Sequence, residues 1–290
     1  MLNQLKNKLK IYWQLIKSLQ TFLLLLTGVT GFFSSRCPYT SIELTLGMIL
    51  SLFFSISGTT VYNMIWDRDI DAIMDRTNQR PLPANKISVK EAIIFGTILN
   101  VVGLGLAYYL SPLYAFVIFM GLFIDFVIYT IWLKRTSAWS IVWGGISGGM
   151  PILAGRVLGV GEIDMTGILL AFSILFWIPT HIMTFNMRHF EDYNKAKIPT
   201  FAAKYGFKNA RLIIALSTIA SAFAFALGAF ILGLSWGFVR ILLIFAAISF
   251  GFAVYSLVFP SEKSNFQVFK AASLYMASAM LIIILGSIFY

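Results

Sequence analysis

An asparagine and three aspartates recur at every fourth position near the end of an apolar stretch: Asn63, Asp67, Asp71 and Asp75. On an α-helix, residues four apart are separated by about 6 Å along the axis and about 40° around it, so these side chains are predicted to form one slowly winding stripe. Stacked carboxylates repel one another unless a cation binds, and all-oxygen ligands suit Mg²⁺, which often shares its coordination with substrate phosphates. The spacing therefore predicts a magnesium and diphosphate site with Asn63, Asp67 and Asp71 as ligands.

Two arginines, Arg76 and Arg80, follow the stripe directly. Their planar guanidinium groups match phosphate oxygens and would neutralise the charge that develops on a leaving diphosphate. The alternative is a solvated helix end in which Arg68 and Arg76 simply balance the acids. The regular spacing and the depth of Asn63 inside the apolar stretch favour a reactive site. The residues expected to be catalytic are Asp67, Asp71, Arg76 and Arg80.

The composition indicates which elements must position these side chains. Of the 290 residues, 59% are hydrophobic and only 12% are charged, and the mean hydropathy is +0.83, which excludes an ordinary water-soluble globule. A hydrocarbon core of about 30 Å takes about 20 apolar residues per helix. Blocks of that size lie at 19–35, 44–66, 91–110, 112–133, 138–159, 165–187, 211–233, 236–258 and 267–289. We predict an all-α integral membrane protein, a single polytopic domain over residues 1–290 with about nine transmembrane helices.

Lysine and arginine are concentrated in alternate connections between these blocks. They precede the first block, lie between the second and third, follow the fourth and fill the connection from the sixth to the seventh. Because positive residues are retained on the cytoplasmic side of short loops, the N-terminus is predicted to be cytoplasmic and the C-terminus outside. The acidic stripe then faces the cytoplasm.

The connection between the sixth and seventh blocks is long and charged, like the one that carries the stripe. Its acids, Glu191 and Asp192, are expected to hold a second Mg²⁺, although a solvated loop explains them as well. Lys134 and Arg135 are interpreted first as cytoplasmic anchors and second as phosphate contacts. The basic residues considered for substrate contact are Lys134, Arg135, Arg188, Lys195 and Lys204.

Two ionisable residues, Asp125 and His181, lie inside apolar blocks. Groups at such depth line cavities or find partners, so both are candidates for substrate contact, with a satisfied core group as the alternative for His181. We expect Asp125 to pair with His181 or Asn186, and Tyr129, one turn later, to line the same pocket.

The pattern at Asn63, Asp67 and Asp71, followed by Arg-Pro-Leu-Pro at 80–83, resembles the first signature of the UbiA superfamily of intramembrane prenyltransferases. Within that superfamily, several stretches resemble the protoheme IX farnesyltransferase branch. They are 67–71 with 75–77, 129–130 with 133–137 and the glycine-rich 144–155, and 179–181 with 191–193 and 198–199.

This resemblance implies nine helices around a central cavity, with two acid-bearing loops that hold Mg²⁺ and an isoprenyl diphosphate. It implies a multi-pass protein of the cell membrane that transfers farnesyl from farnesyl diphosphate to the 2-vinyl group of protoheme, with addition of water, on the cytoplasmic side. His181 is then expected to contact the heme, as an iron ligand or a propionate partner. The implied partners are farnesyl diphosphate, heme b or another lipophilic acceptor, and membrane lipid, but no nucleic acid.

Two alternatives stay open. The branch usually has Pro-Pro-His-Phe-Trp where this chain has Pro-Thr-His-Ile-Met at 179–183, so the acceptor is alternatively a quinone precursor or a glyceryl phosphate lipid. A transporter should carry charges near the midplane of paired broken helices, whereas these acids cluster at one face.

Overall fold

Helices account for nearly all of the chain that this computed structural model describes, residues 2–37 and 41–289, with side chains from residue 6 onward. Their bounds are α1 Leu2–Leu15, α2 Ser18–Ser34, α3 Ile42–Trp66, α4 Arg68–Ile73, α5 Val89–Leu110, α6 Pro112–Leu133, α7 Ser140–Val160, α8 Met165–Arg188, α9 Phe190–Lys195, α10 Phe201–Ile231, α11 Trp236–Val258 and α12 Glu262–Ile288. Eight of these are long and apolar enough to cross a membrane, and α1 with α2, bent by 54°, supplies a ninth candidate span. The predicted all-α membrane fold of about nine spans is confirmed for the described residues.

Helices α2 and α7 touch through their backbones at the centre of the molecule. A Cβ atom at Gly31 would lie 1.9 Å from the carbonyl oxygen of Ile152, and one at Gly155 would lie 1.9 Å from that of Gly28. In lipid, the hydrophobic effect does not drive helices together, so they associate largely through van der Waals packing. Small residues such as glycine permit the close approach that this packing needs. One apolar cluster joins this pair to α3, α5 and α6, and another joins α7 to α8, α10, α11 and α12.

A buried arginine fixes the end of this pair that lies opposite the acidic stripe. Arg156 on α7 donates from Nη2 to Asp164 Oδ2 at 2.6 Å and from Nη1 to the carbonyl oxygen of Ser34 at 2.8 Å. It therefore ties the end of α2 to the turn between α7 and α8.

The acid-bearing segment is less regular than a single helix. Helix α3 ends at Trp66, Asp67 has φ −84° and ψ 0°, and α4 begins at Arg68. The amides of Asp67 and Asp71 still donate to carbonyl oxygens four residues back, so the predicted stripe holds through Asp71. It does not reach Asp75, because Met74 is extended at ψ 127° and turns the chain away.

Two other helices depart from regular winding. The second half of α6, Ile124–Leu133, is a π-helix, a form that is rare and often marks functional sites. Helix α10 begins at Phe201, ten residues before the predicted start, and the chain breaks at Gly206, whose φ of 82° suits glycine. The side chain of Thr200 caps the early start by accepting from the amide of Ala203.

Candidate active site

The amide of Asn63 is held on both sides by residues of the π-helix. Its Nδ2 donates to Asp125 Oδ2 at 2.5 Å, and Thr130 Oγ1 donates to its Oδ1 at 3.0 Å. Wide π winding brings residues five apart to the same side of a helix, so Asp125 and Thr130 reach one amide together. Ser147 on α7 adds a weaker contact to Asp125 at 3.4 Å. The expected pairing of Asp125 with His181 or Asn186 is wrong, because the second half of α6 packs against α3 and α7.

Each aspartate beyond Asn63 is paired with a cation. The Lys134 amine donates to Asp67 Oδ2, and Arg80 Nη1 donates to both oxygens of Asp71 at 2.9 and 2.7 Å. Both carboxylate side chains are only 5% exposed. Burial disfavours the charged amine of Lys134, but the Asp67 carboxylate outweighs it and raises the pKa of that lysine.

A second layer of ion pairs lies at the rim of this cluster. Arg135 donates from its two terminal nitrogens to the oxygens of Asp69, at 2.7 Å each, and the hydrogen bond lowers the pKa of the Asp69 carboxyl. Lys195 donates to Asp75 at 2.6 Å, and this contact raises the pKa of the lysine. Exposed pairs of this kind add little stability, but they join α6 and α9 to the acid-bearing segment.

The two long connections meet, as the sequence predicted. The buried carboxylate of Asp192 accepts from the backbone amides of Asp75 at 3.1 Å and Arg76 at 3.4 Å. Beneath this contact, an apolar cluster buries side chains of both connections: Ile70, Met74, Ala196 and Ile198. Asp192 thus fixes the loop that carries Arg76, whereas its neighbour Glu191 is exposed.

Three predicted contact residues lie outside this acid cluster. His181 is stacked between Trp177 and Phe269, with ring centroids 4.6 Å from each. The guanidinium of Arg188 lies 4.0 Å from the ring centroid of Phe266. Lys204 lies 5.6 Å from the ring of Tyr205 on α10. His181 and Arg188 therefore face the seam between α8 and α12.

An apolar cavity lies between α2, α3, α6 and α7, and Asp125, the partner of Asn63, is among its lining residues. Its polar end contains Asp125, Ser147, Thr59 and Thr60. Its apolar lining includes Leu24, Leu52, Ile118, Leu122, Met150 and Pro151. A molecule with an anionic head and a hydrocarbon tail matches this division, because the tail gains apolar surface burial while the head stays near the cations. Tyr129 lies on the α6 face toward α7, where only glycine fits opposite it: a Cβ at Gly144 would lie 2.4 Å from its ring.

Sequence reasoning missed three members of the cluster. Thr130 and Ser147 hold the Asn63–Asp125 pair, and neither residue type carries a distinctive signal in an apolar helix. Lys17, counted only as a cytoplasmic anchor, lies close enough to the acid cluster to interact electrostatically with Asp67, Asp71, Arg80 and Lys134. Its position immediately before the first apolar block was the available signal.

The donor set fits a hydrated Mg²⁺ held partly by phosphate. Among the described residues, no three side chains of His, Cys, Asp or Glu come together as a complete metal cage. Asp67 Oδ1 is nevertheless buried without a hydrogen-bond partner, and an unpaired buried carboxylate oxygen is costly unless a cation binds it. Mg²⁺ usually keeps several waters and takes one or two carboxylates with substrate phosphates. Asp67, Asp71 and Asn63 would supply those protein ligands.

Known relatives agree with this architecture. Residues 24–279 match the UbiA prenyltransferase family. The protoheme IX farnesyltransferase of Archaeoglobus fulgidus is 41% identical over 214 residues, which cover 74% of this chain and 75% of that protein. The protein of the same name from Pyrobaculum arsenaticum is 33% identical over 267 residues, which cover 90% of this chain and 94% of that protein.

Solved structures share the fold. A structure of digeranylgeranylglyceryl phosphate synthase gives a TM-score of 0.79 at 24% identity, covering 98% of this chain and 99% of that one. A UbiA homologue from Archaeoglobus fulgidus, bound to GPP and Mg²⁺, gives a TM-score of 0.68 at 15% identity, covering 94% and 99%. At these identities the likeness concerns the fold alone. The match over residues 24–279 is what decides the family: the chain belongs to the UbiA prenyltransferases.

Proposed function

We propose that this prenyltransferase transfers a farnesyl group from farnesyl diphosphate to a vinyl group of protoheme, with Mg²⁺ bound at Asn63, Asp67 and Asp71. The observation that carries the diphosphate and isoprenyl part is the position of two buried carboxylates, each paired with a cation, near an apolar cavity lined by α2, α3, α6 and α7. The names of the similar proteins support protoheme as the acceptor.

Residues of this chain are proposed to prepare the diphosphate for departure. A bound Mg²⁺ supplies positive charge to the phosphate oxygens. Asp67 and Asp71 would hold the metal, and the Lys134 amine and Arg80 guanidinium, which bind these carboxylates in this structure, would then be available to donate to the leaving diphosphate. Such donors stabilise charge as it develops, which lowers the barrier to breaking the allylic C–O bond.

The cavity is proposed to shield the reactive allylic carbon from bulk water. Its apolar lining would enclose the farnesyl chain and exclude bulk water while the bond breaks. The vinyl carbon of the acceptor then forms the new C–C bond, and water adds to the other vinyl carbon. The contacts of Asn63 with Asp125 and Thr130 are proposed to keep the amide in place throughout.

The site is proposed to face the cytoplasm of the cell membrane. The connections that carry Arg76, Arg80, Lys195 and Lys204 are the positively charged ones, and such loops are retained on the cytoplasmic side. With this orientation, the C-terminus is proposed to lie outside.

One assay tests the acceptor. Purified protein in lipid nanodiscs receives Mg²⁺, farnesyl diphosphate and one of three acceptors: heme b, 4-hydroxybenzoate or a glyceryl phosphate lipid. The products are identified by mass. We expect a farnesylated, hydrated heme and free diphosphate. Product from either of the other acceptors, with none from heme b, would overturn the proposal.

A further inference from the structure

A second cleft lies at the seam between α8 and α12. Three aromatic rings line it: Phe185 from α8 and Phe266 and Phe269 from α12. The rings continue inward as a row of near-parallel neighbours. Phe266 and Phe269 are 6.1 Å apart at 11°, Phe269 and His181 are 4.6 Å apart at 27°, and His181 and Trp177 are 4.6 Å apart at 21°.

Two cationic side chains lie next to this cleft, and neither forms a salt bridge with a described carboxylate. Arg188 lies 4.0 Å and Lys270 lies 5.0 Å from the ring centroid of Phe266. The salt bridges among the described side chains engage other cations: Arg80, Lys134, Arg135, Arg156 and Lys195. Both side chains at the mouth are exposed. A mouth with two unpaired cations on an aromatic wall suits a flat ligand that carries two carboxylates.

The side chain of Arg76 lies between the cleft and the acid-bearing segment. The backbone amide of Arg76 is held by Asp192, and its guanidinium lies 4.9 Å from the ring centroid of Phe185, which lines the cleft. Arg76 therefore links the lining of the cleft to the loop that follows the acid-bearing segment.

We propose that this cleft between α8 and α12 is the acceptor site, in which Arg188 and Lys270 bind the two propionates of protoheme. The inference rests on the proposed function, because it names where that acceptor binds. In protoheme the vinyl groups lie on the pyrroles away from the propionates, so propionates held at the mouth direct a vinyl edge inward.

His181 has a defined part in this arrangement. Ring stacking on Trp177 and Phe269 covers both of its faces, and Ser273 Oγ lies 3.2 Å from Nδ1. His181 is thereby fixed directly behind Phe269, a ring that lines the cleft.

Binding of heme b tests the proposal directly. Protein in nanodiscs is titrated with heme b, and the Soret absorbance is corrected with empty nanodiscs. The variants are Arg188→Gln, Lys270→Gln and the double variant, with Lys208→Gln, at an exposed lysine of α10, as the control. We expect Kd to rise about tenfold for each cleft cation removed and to stay unchanged in the control. Arg188→Lys should restore part of the loss.

A second ligand separates carboxylate recognition from general stacking. The dimethyl ester of the same porphyrin lacks both charges, so wild-type protein should bind it more weakly than the diacid, and the double variant should bind the two alike. A double variant that binds heme b with the wild-type Kd would overturn the proposal, as would equal binding of ester and diacid by the wild type.

Steady-state kinetics distinguish this inference from the proposed function. The double variant should show a raised KM for heme, an unchanged KM for farnesyl diphosphate and an unchanged melting temperature. If wild-type protein makes no heme product, the proposed function fails. If it makes heme product and the double variant does so with the wild-type KM for heme, only the acceptor site fails.

Discussion

Asn63 Nδ2 and Asp125 Oδ2 lie 2.5 Å apart, across a boundary between α3 and the π-helical half of α6. This contact joins the residue predicted to bind metal to the polar end of the apolar cavity. We therefore propose Asp125 as a positioning residue, which would act on the substrate through the amide that it holds.

Replacing Asp125 with alanine should weaken the metal site without unfolding the protein. Without its partner, the Asn63 amide is free to rotate, and loss of such an outer contact typically costs about 10- to 100-fold in metal affinity or activity. The measurement is prenyl transfer as a function of Mg²⁺ concentration, in which half-saturation should move upward. Ser147→Ala removes the 3.4 Å contact with Asp125 and a hydrogen bond to the Gly144 carbonyl oxygen within α7, and it should change the Mg²⁺ dependence little. Unchanged Mg²⁺ dependence in folded Asp125→Ala protein would contradict this role.

The buried Lys134–Asp67 pair should matter for stability as well as for transfer. Lys134→Gln leaves the 5% exposed Asp67 side chain without its cation, and breaking one partner of a buried pair costs about 3 kcal/mol or more. Thermal unfolding without Mg²⁺ should show this loss, and added Mg²⁺ should recover part of it by binding the freed carboxylate.

Arg135→Gln is the matched control for that experiment. It breaks the pair with Asp69, whose side chain is 59% exposed, so its cost should be under about 1 kcal/mol. Equal destabilisation by the two substitutions, or no recovery of Lys134→Gln with Mg²⁺, would argue against a buried pair that opens for metal.

The apolar spans of the described residues and the acidic stripe through Asp71 could be predicted from sequence, because each depends on local composition or spacing. The partners of Asn63 could not. Asp125 and Thr130 are 62 and 67 residues away from it in the chain, and they reach it only because α6 changes to π winding, which leaves no mark in the hydrophobic pattern. Lys134 was interpreted mainly as an anchor because its carboxylate partner, Asp67, is distant in the sequence.

Close backbone contact between α2 and α7 should make Gly155 intolerant of a side chain. Gly155→Val puts a Cβ 1.9 Å from the carbonyl oxygen of Gly28, so the helices must separate and the folded protein should be lost. Gly105→Val, at a position with no atom within 4 Å of the added Cβ, is the control. Yield and melting temperature in detergent provide the comparison, and a stable Gly155→Val protein would contradict the packing.

The cavity should limit the length of the isoprenyl chain. Gly121 lines it, and an added Cβ there lies 3.0 Å from Met150 Cβ, so Gly121→Leu fills part of the space. We expect kcat/KM to fall about tenfold or more for farnesyl diphosphate and less for the shorter geranyl diphosphate, because the longer tail loses more contact with the walls. Equal losses for both substrates would place the chain elsewhere.

Neutralising Asp67 tests the central claim most directly. Wild-type protein and Asp67→Asn in nanodiscs are supplied with Mg²⁺, farnesyl diphosphate and heme b, and the farnesylated heme is quantified by mass. Ionisation assisted by this carboxylate predicts a clear product from the wild type and, per folded protein, at least about 100-fold less from the variant, with unchanged heme binding. The melting temperature should fall, because Lys134 loses its buried partner. Full transfer by folded Asp67→Asn protein would contradict the account.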